Sequence, residues 1–317
     1  MSYFNFMFII MFLSSFILVL GGDNWFMLWM GLEINMISFI MLIYSKDIFS
    51  VEMCMKYFFI QGVGSSLLLM MIILSGDYFK ESILLILSYK MGSGPFFFWF
   101  PVFCSGIDWK SCILVMSMQK LIPLMFFTMF MCSIAWVILV ASMVIGVLGC
   151  FNESKLKKFM GYSSIHYVGW MILCINTESF LWIFYMLCYT FMLLGVVVSI
   201  NSFEMFKVKD FLLVKKPLLY LFSMLNMGGM PPMLGFFLKW WVFLLLVNKV
   251  VWVVWLIIVM AVFMFYVYLR LVYHLMVDYS FFHSFSFSGL SKSMNNKLEW
   301  VYMLAMGVAP MVGWLIL

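Results

Sequence analysis

The sequence predicts an all-α polytopic membrane protein of about eleven transmembrane helices, two of them discontinuous, and three observations carry that reading. Of the 317 residues, 67% are hydrophobic and 10% charged, with a mean hydropathy of +1.14, whereas a soluble domain carries about 25% charged residues. The apolar runs continue unbroken for about 20 residues, the length that crosses the hydrocarbon core as a helix; barrel strands alternate over about ten. The basic residues gather between these runs, and mostly on one side of them. No stretch is left for a soluble domain, so residues 1–317 read as a single membrane domain.

Taken in order, the spans fall at about 4–20, 24–43, 56–75, 83–103, 112–131, 133–151, 156–175, 179–200, 217–247, 250–277 and 298–317. The first is apolar, lacks the basic start of a signal peptide and is followed at once by more spans, so it reads as retained. The fifth and sixth are separated by length alone, because 111–150 is twice what one crossing needs. On this model twelve of the 18 basic residues lie on one face, Lys80 and Lys249 lie on the other, and four lie inside spans. Such asymmetry places the N-terminus on the positive side. The net charge of +5 is spread through these loops, which orients the chain and gives no sign of nucleic-acid binding. The loop 201–216 mixes Glu204 and Asp210 with four lysines and reads as an amphipathic surface segment or a docking site.

Two spans contain their own interruptions. In ILLILSYKMGSGPFFFWFPVF, from Ile83, Lys90 is followed by Gly92, Ser93, Gly94 and Pro95. Glycine weakens a helix, and proline removes a backbone donor and clashes with the turn before it. The ninth span repeats the combination with Gly228, Gly229, Pro231, Pro232 and, further on, Lys239. The two lie five helices apart, an odd offset that gives them opposite orientations. Paired discontinuous helices in an inverted repeat mark the transport path of a secondary transporter.

Four ionisable residues fall near mid-span: Glu33, Lys90, Lys120 and Lys239. A lysine at the bilayer centre costs about 2.5–3.5 kcal/mol on insertion scales, so the default reading is an ion or proton site. The competing reading of Lys90 is a proline kink beside a lysine that snorkels to the surface. A Glu33–Lys90 ion pair would hold both groups charged, and its opening would let Lys90 release a proton to the next station. Lys120, with Pro123 one turn on, has no carboxylate in its own span. His166 titrates in a useful range, but a lone histidine in a span is more often a packed, hydrogen-bonded residue, and Arg270 reads as a snorkelling residue near lipid phosphates. Seven cysteines without a C-x-x-C pair, three histidines and no Gly-rich nucleotide loop point away from metal, haem, iron–sulfur or nucleotide chemistry.

Seven motifs in one order carry a resemblance: GLEINM, KYFFIQGVGSSLLL, KMGSGPFFFWFPVF, MQKLIPL, NESKLKKFMGYSSIHYVGW, GGMPPMLGFFLKW and YVYLRLVY. Over nearly the whole chain they resemble the subunit-2 family of mitochondrial NADH:ubiquinone oxidoreductase, respiratory complex I, whose members are antiporter-like proton-pumping modules. The short N-terminus resembles the animal form, and the abundance of Met and Phe with a single arginine looks mitochondrially encoded. The resemblance implies that Glu33 and Lys90 form the ion pair at the start of the proton path. It makes Lys120 the central relay lysine and Lys239 the distal exit lysine. The family's histidine falls at the position of Tyr167, so His166 is turned by about 100° around the helix and the resemblance assigns it no role. It further implies a multi-pass protein of the mitochondrial inner membrane that binds no cofactor itself. NADH, FMN, iron–sulfur clusters and ubiquinone would lie in other subunits, and its partners would be antiporter-like and small membrane-arm subunits and phospholipids. Two alternatives remain beside it: a stand-alone cation/proton antiporter, and a structural spacer without its own proton path.

Overall fold

A computed structural model describes residues 3–22, 24–45, 47–75, 80–177, 181–200, 217–246 and 251–283. The span expected at 298–317 and the loops 201–216 and 284–297 lie outside the described residues. Among the described residues the regular elements are helices: α1 (Tyr3–Leu20), α2 (Trp25–Ile43), α3 (Ile48–Ser75), α4 (Lys80–Met91), α5 (Trp99–Gly106), α6 (Trp109–Met116), α7 (Met118–Met129), α8 (Ile134–Asn152), α9 (Leu156–Thr177), α10 (Leu181–Ile200), α11 (Pro217–Gly228), α12 (Leu234–Leu246) and α13 (Val251–His283). Among the described residues six segments are long and apolar enough to cross a membrane: Trp25–Ile43, Ile48–Leu74, Trp109–Met129, Ile134–Asn152, Leu181–Ile200 and Val253–Tyr273. Phe6–Leu20 and Leu234–Leu246 are shorter apolar helices. The third helix begins at Ile48, eight residues before the expected start of its span.

The chain divides into two compact units, Met1–Gly146 with Met160–Ile172, and Val147–Phe159 with Leu173–Leu317. In the first, α1 packs on α2, α3 bridges α2 and α4, and α7 packs on α4. Lipid is as apolar as leucine, so such helices associate through close backbone approach and polar bonds. Gly31 provides the approach, because a Cβ there would run into the Val19 side chain. Asn35 provides the bond, donating from Nδ2 to Ser15 Oγ at 3.1 Å. Residues 160–172 of α9 are all buried except Tyr162, although this stretch carries Ser163, Ser164 and His166. Its serines are reconciled with burial by donating to carbonyls three residues back, Ser163 to Met160 at 2.8 Å and Ser164 to Gly161 at 2.7 Å.

The run 83–103 is two helices, and so is the run 217–247. Both first halves end in the same way. Gly92 has φ +64° and Gly229 has φ +83°, a left-handed backbone that suits glycine. At the first, Gly92 N–H donates to the Tyr89 carbonyl at 3.1 Å and Ser93 N–H to the Ser88 carbonyl at 3.0 Å. At the second, Gly229 donates to Asn226 at 3.0 Å and Met230 to Leu225 at 3.2 Å. This is the Schellman arrangement, which satisfies orphan carbonyls at a helix end without water.

In the second unit, α11 also caps the helix that follows it. The Asn226 side chain accepts from Gly235 N–H at 2.7 Å, serving one of the free donors of α12's first turn. That contact leaves no room at Gly235, where a Cβ would collide with the Asn226 carbonyl oxygen. At Gly62, by contrast, a Cβ would meet nothing within 4 Å. Gly235→Ala is therefore expected to lower the amount of folded protein severalfold on a native gel. Gly62→Ala should leave it equal or higher, since alanine favours a helix by about 0.5–1 kcal/mol over glycine. Equal tolerance of both changes would refute this packing of α11 against α12.

Candidate functional site

Lys90 occupies the last turn of α4 and is 5% exposed. Its stem lies against Gly64 of α3, where a Cβ would come within 2.7 Å of Lys90 Cγ. The carbonyls at this helix end are served by side chains as well as by the turn. Gln61 Nε2 donates to the Lys90 carbonyl at 2.9 Å, Trp99 Nε1 to Tyr89 at 3.0 Å, and Ser93 Oγ to Ser88 at 3.2 Å. The break is thus paired from α3 on one side and from α5 on the other.

Lys120 lies in the first turn of α7, just after an interruption at Ser117 that separates α7 from α6. The sequence shows no glycine here, only Pro123 inside α7, which cannot donate to the carbonyl a turn earlier. Lys120 N–H bonds to the Ser117 carbonyl at 3.0 Å, a tightened turn. Its ammonium is 1% exposed and donates to Ser164 O at 3.1 Å and Ser164 Oγ at 3.0 Å. It also stands 4.6 Å from the centroid of the Phe100 ring. Among the described residues no carboxylate pairs with it.

These two lysines line one cavity of about 20 Å³, together with Asn35, Tyr57, Gln61, Phe100 and Gln119. A cavity of more than about 10–15 Å³ holds a water if polar partners are present. Tyr57 donates its hydroxyl to Gln119 Oε1 at 3.1 Å, while Asn35 Oδ1 and Gln119 Nε2 are buried without a protein partner. Glu33 is half-buried on α2 and does not line the cavity. The expected Glu33–Lys90 ion pair is not formed: the carboxylate is close enough for its charge to act on Lys90, but no bridge joins them. The physical reason is that Lys90's stem is directed along Gly64 of α3. The structure therefore brings Lys90 and Lys120 together with Glu33 nearby, while Lys239 belongs to the other unit.

Within that second unit, Lys239 is 6% exposed and donates from Nζ to the Gly228 carbonyl at 2.8 Å. The last residue of α11 is thus capped by a lysine of α12, and Gly229 lacks the Cβ that would stand 3.0 Å from Nζ. Arg270 donates from Nη2 to the Phe151 carbonyl at 2.9 Å, a cation at the C-terminal end of α8, where the helix dipole favours it. His166 contacts the Met143 carbonyl through Nδ1 at 3.4 Å and accepts from Trp170 Nε1 at Nε2 at 3.0 Å. With Nε2 an acceptor, the ring proton is assigned to Nδ1, which makes this a neutral, packed histidine.

Sequence reasoning missed Phe100, Ser164, Tyr57, Gln119 and Asn35. Each is an ordinary residue for an apolar span, and only its neighbour in space gives it a role.

Residues 22–78 and 75–265 match the family described as NADH:quinone oxidoreductase/Mrp antiporter, transmembrane. The NADH-ubiquinone oxidoreductase chain 2 of Aedes aegypti is 32% identical over 335 aligned positions, 99% of this chain and 96% of that one. That of Anopheles gambiae is 34% identical over 255 residues, 74% and 75% of the two. Among solved structures, a chain of respiratory complex I from Thermus thermophilus with bound aureothin has the same fold, with TM-score 0.81 at 19% identity over 98% of this chain and 78% of that one. A chain of the Mrp complex from Dietzia sp. follows at TM-score 0.69 and 14% identity, over 78% and 55%.

The geometry around Lys90 makes Gln61 testable. Gln61→Leu leaves the Lys90 carbonyl buried without its side-chain donor, a loss of about 1–3 kcal/mol, which should lower the thermal midpoint of the detergent-solubilised protein. An unchanged midpoint would mean that the carbonyl has another donor.

Proposed function

The chain belongs to the NADH:quinone oxidoreductase/Mrp antiporter transmembrane family, and from that premise we propose that it is a proton-translocating subunit of the membrane arm of respiratory complex I. The observation that carries the reading is the pair of buried lysines, Lys90 and Lys120, on one cavity with unpartnered polar atoms in the residues of its wall. Buried lysines in lipid mark ion and proton pathways. Lys90 takes up the proton under the influence of Glu33, a water admitted to the cavity passes it past Gln119, and Lys120 relays it onward. Lys239 is the distal station.

The chain supplies no redox group. NADH, FMN, iron–sulfur clusters and ubiquinone belong to other subunits, and this one contributes to the NADH:ubiquinone reductase by converting their free energy into proton movement. It forms a single multi-pass domain of eleven spans in the mitochondrial inner membrane, with the N-terminus on the matrix side. In it α4/α5 and α11/α12 are the discontinuous spans of an inverted repeat. Its partners are the other antiporter-like and small membrane-arm subunits, together with phospholipids.

Lys120→Met tests the relay in the assembled complex. Proton transfer by a positioned group contributes about 10²–10⁴-fold, so NADH-driven pumping is expected to fall by at least about tenfold while assembly on a native gel persists. Failed assembly without a transport defect would instead identify a spacer. Pumping by the isolated chain that depends on sodium or potassium would identify a stand-alone antiporter.

A further inference from the structure

We propose that Phe100 is a positioning residue for Lys120: its ring face attracts the ammonium, which among the described residues no carboxylate pairs with, and ties it to the helix break that carries Lys90. The proposal rests on the relay reading of Lys120. The ammonium's hydrogen-bond partners, Ser164 O and Oγ, are both neutral, and Phe100 and Lys120 are each 1% exposed. An aromatic face attracts a cation most strongly in such a desolvated setting, and the Nζ-to-centroid distance of 4.6 Å lies within the reach of that attraction.

The break fixes where the ring stands. Phe100 sits in the first turn of α5, and a Cβ on Gly92 would come within 2.5 Å of Phe100 Cβ. Only a residue without a side chain lets the ring seat against the end of α4. Its neighbour Trp99 is bonded to the Tyr89 carbonyl, so the start of α5 is fastened to the same helix end. Lys90 lies one residue beyond Tyr89 and lines the same cavity as Phe100 and Lys120. The ring therefore links the α4 end to the ammonium of Lys120. When Lys120 passes its proton on, the attraction to the ring goes with the charge, and the break is released from it.

The test is a double-mutant cycle in the assembled complex. Phe100→Leu should lower NADH-driven pumping by about threefold to thirtyfold, while Phe100→Tyr, which keeps a ring, stays within about twofold. The thermal half-life of the complex should shorten severalfold on Phe100→Leu when Lys120 is present, and by less than about twofold in the Lys120→Met background. An equal loss in both backgrounds, or a Phe100→Tyr variant as impaired as Phe100→Leu, would overturn the proposal. If Phe100→Leu does not assemble, Phe100→Met enters the same cycle with the same two outcomes. Should Lys120→Met itself leave pumping intact, the relay reading fails, while the half-lives still decide whether ring and ammonium are coupled.

Discussion

Hydrogen-bond satisfaction inside the membrane governs this molecule. In hydrocarbon an unpaired backbone group costs several kcal/mol, so a spanning helix can be interrupted only where protein or enclosed water supplies the partners. Both α4 and α11 end on a left-handed glycine with the same two turn bonds. Two carbonyls that the turns leave open, those of Lys90 and Gly228, accept from Gln61 and Lys239; Ser93 Oγ and Trp99 add second bonds at Ser88 and Tyr89, and the Asn226 side chain accepts from Gly235 at the start of α12. The glycines are there because the backbone needs them, and the polar side chains because the backbone has been opened.

The same economy places the cations. Lys90 and Lys120 are not balanced by bonded carboxylates; they sit among glutamine, asparagine, tyrosine, serine and one aromatic face. A carboxylate bonded to either lysine would favour its charged form strongly. Neutral dipoles hold a lysine in place with a gentler preference for its charged form. Glu33 forms no bridge to Lys90 among the described residues.

Composition and spacing made the helical membrane fold legible, because lipid allows few alternatives. The Gly/Pro clusters also marked where α4 and α11 end, since those residues interrupt a helix wherever they fall. The interruption at Ser117 was hidden, since Pro123 acts on a turn that lies before it and no glycine flags the spot. The four charged positions stood out against apolar sequence, but their partners did not. Gln119 and Phe100 look unremarkable in a span, and the Glu33–Lys90 bridge, expected from charge and from the family resemblance, carries no information on the lysine stem, which lies along Gly64. Arg270 likewise found a helix end where its position suggested lipid.

The bond from Lys239 to the Gly228 carbonyl behaves differently from a salt link when a proton leaves. An ammonium offers three donors, and the amine left behind still offers two, while the acceptor is uncharged in either case. The contact weakens but persists, so the end of α11 keeps its cap through both halves of a titration. An anchor indifferent to charge lets a side chain change its protonation without asking the backbone around it to rebuild.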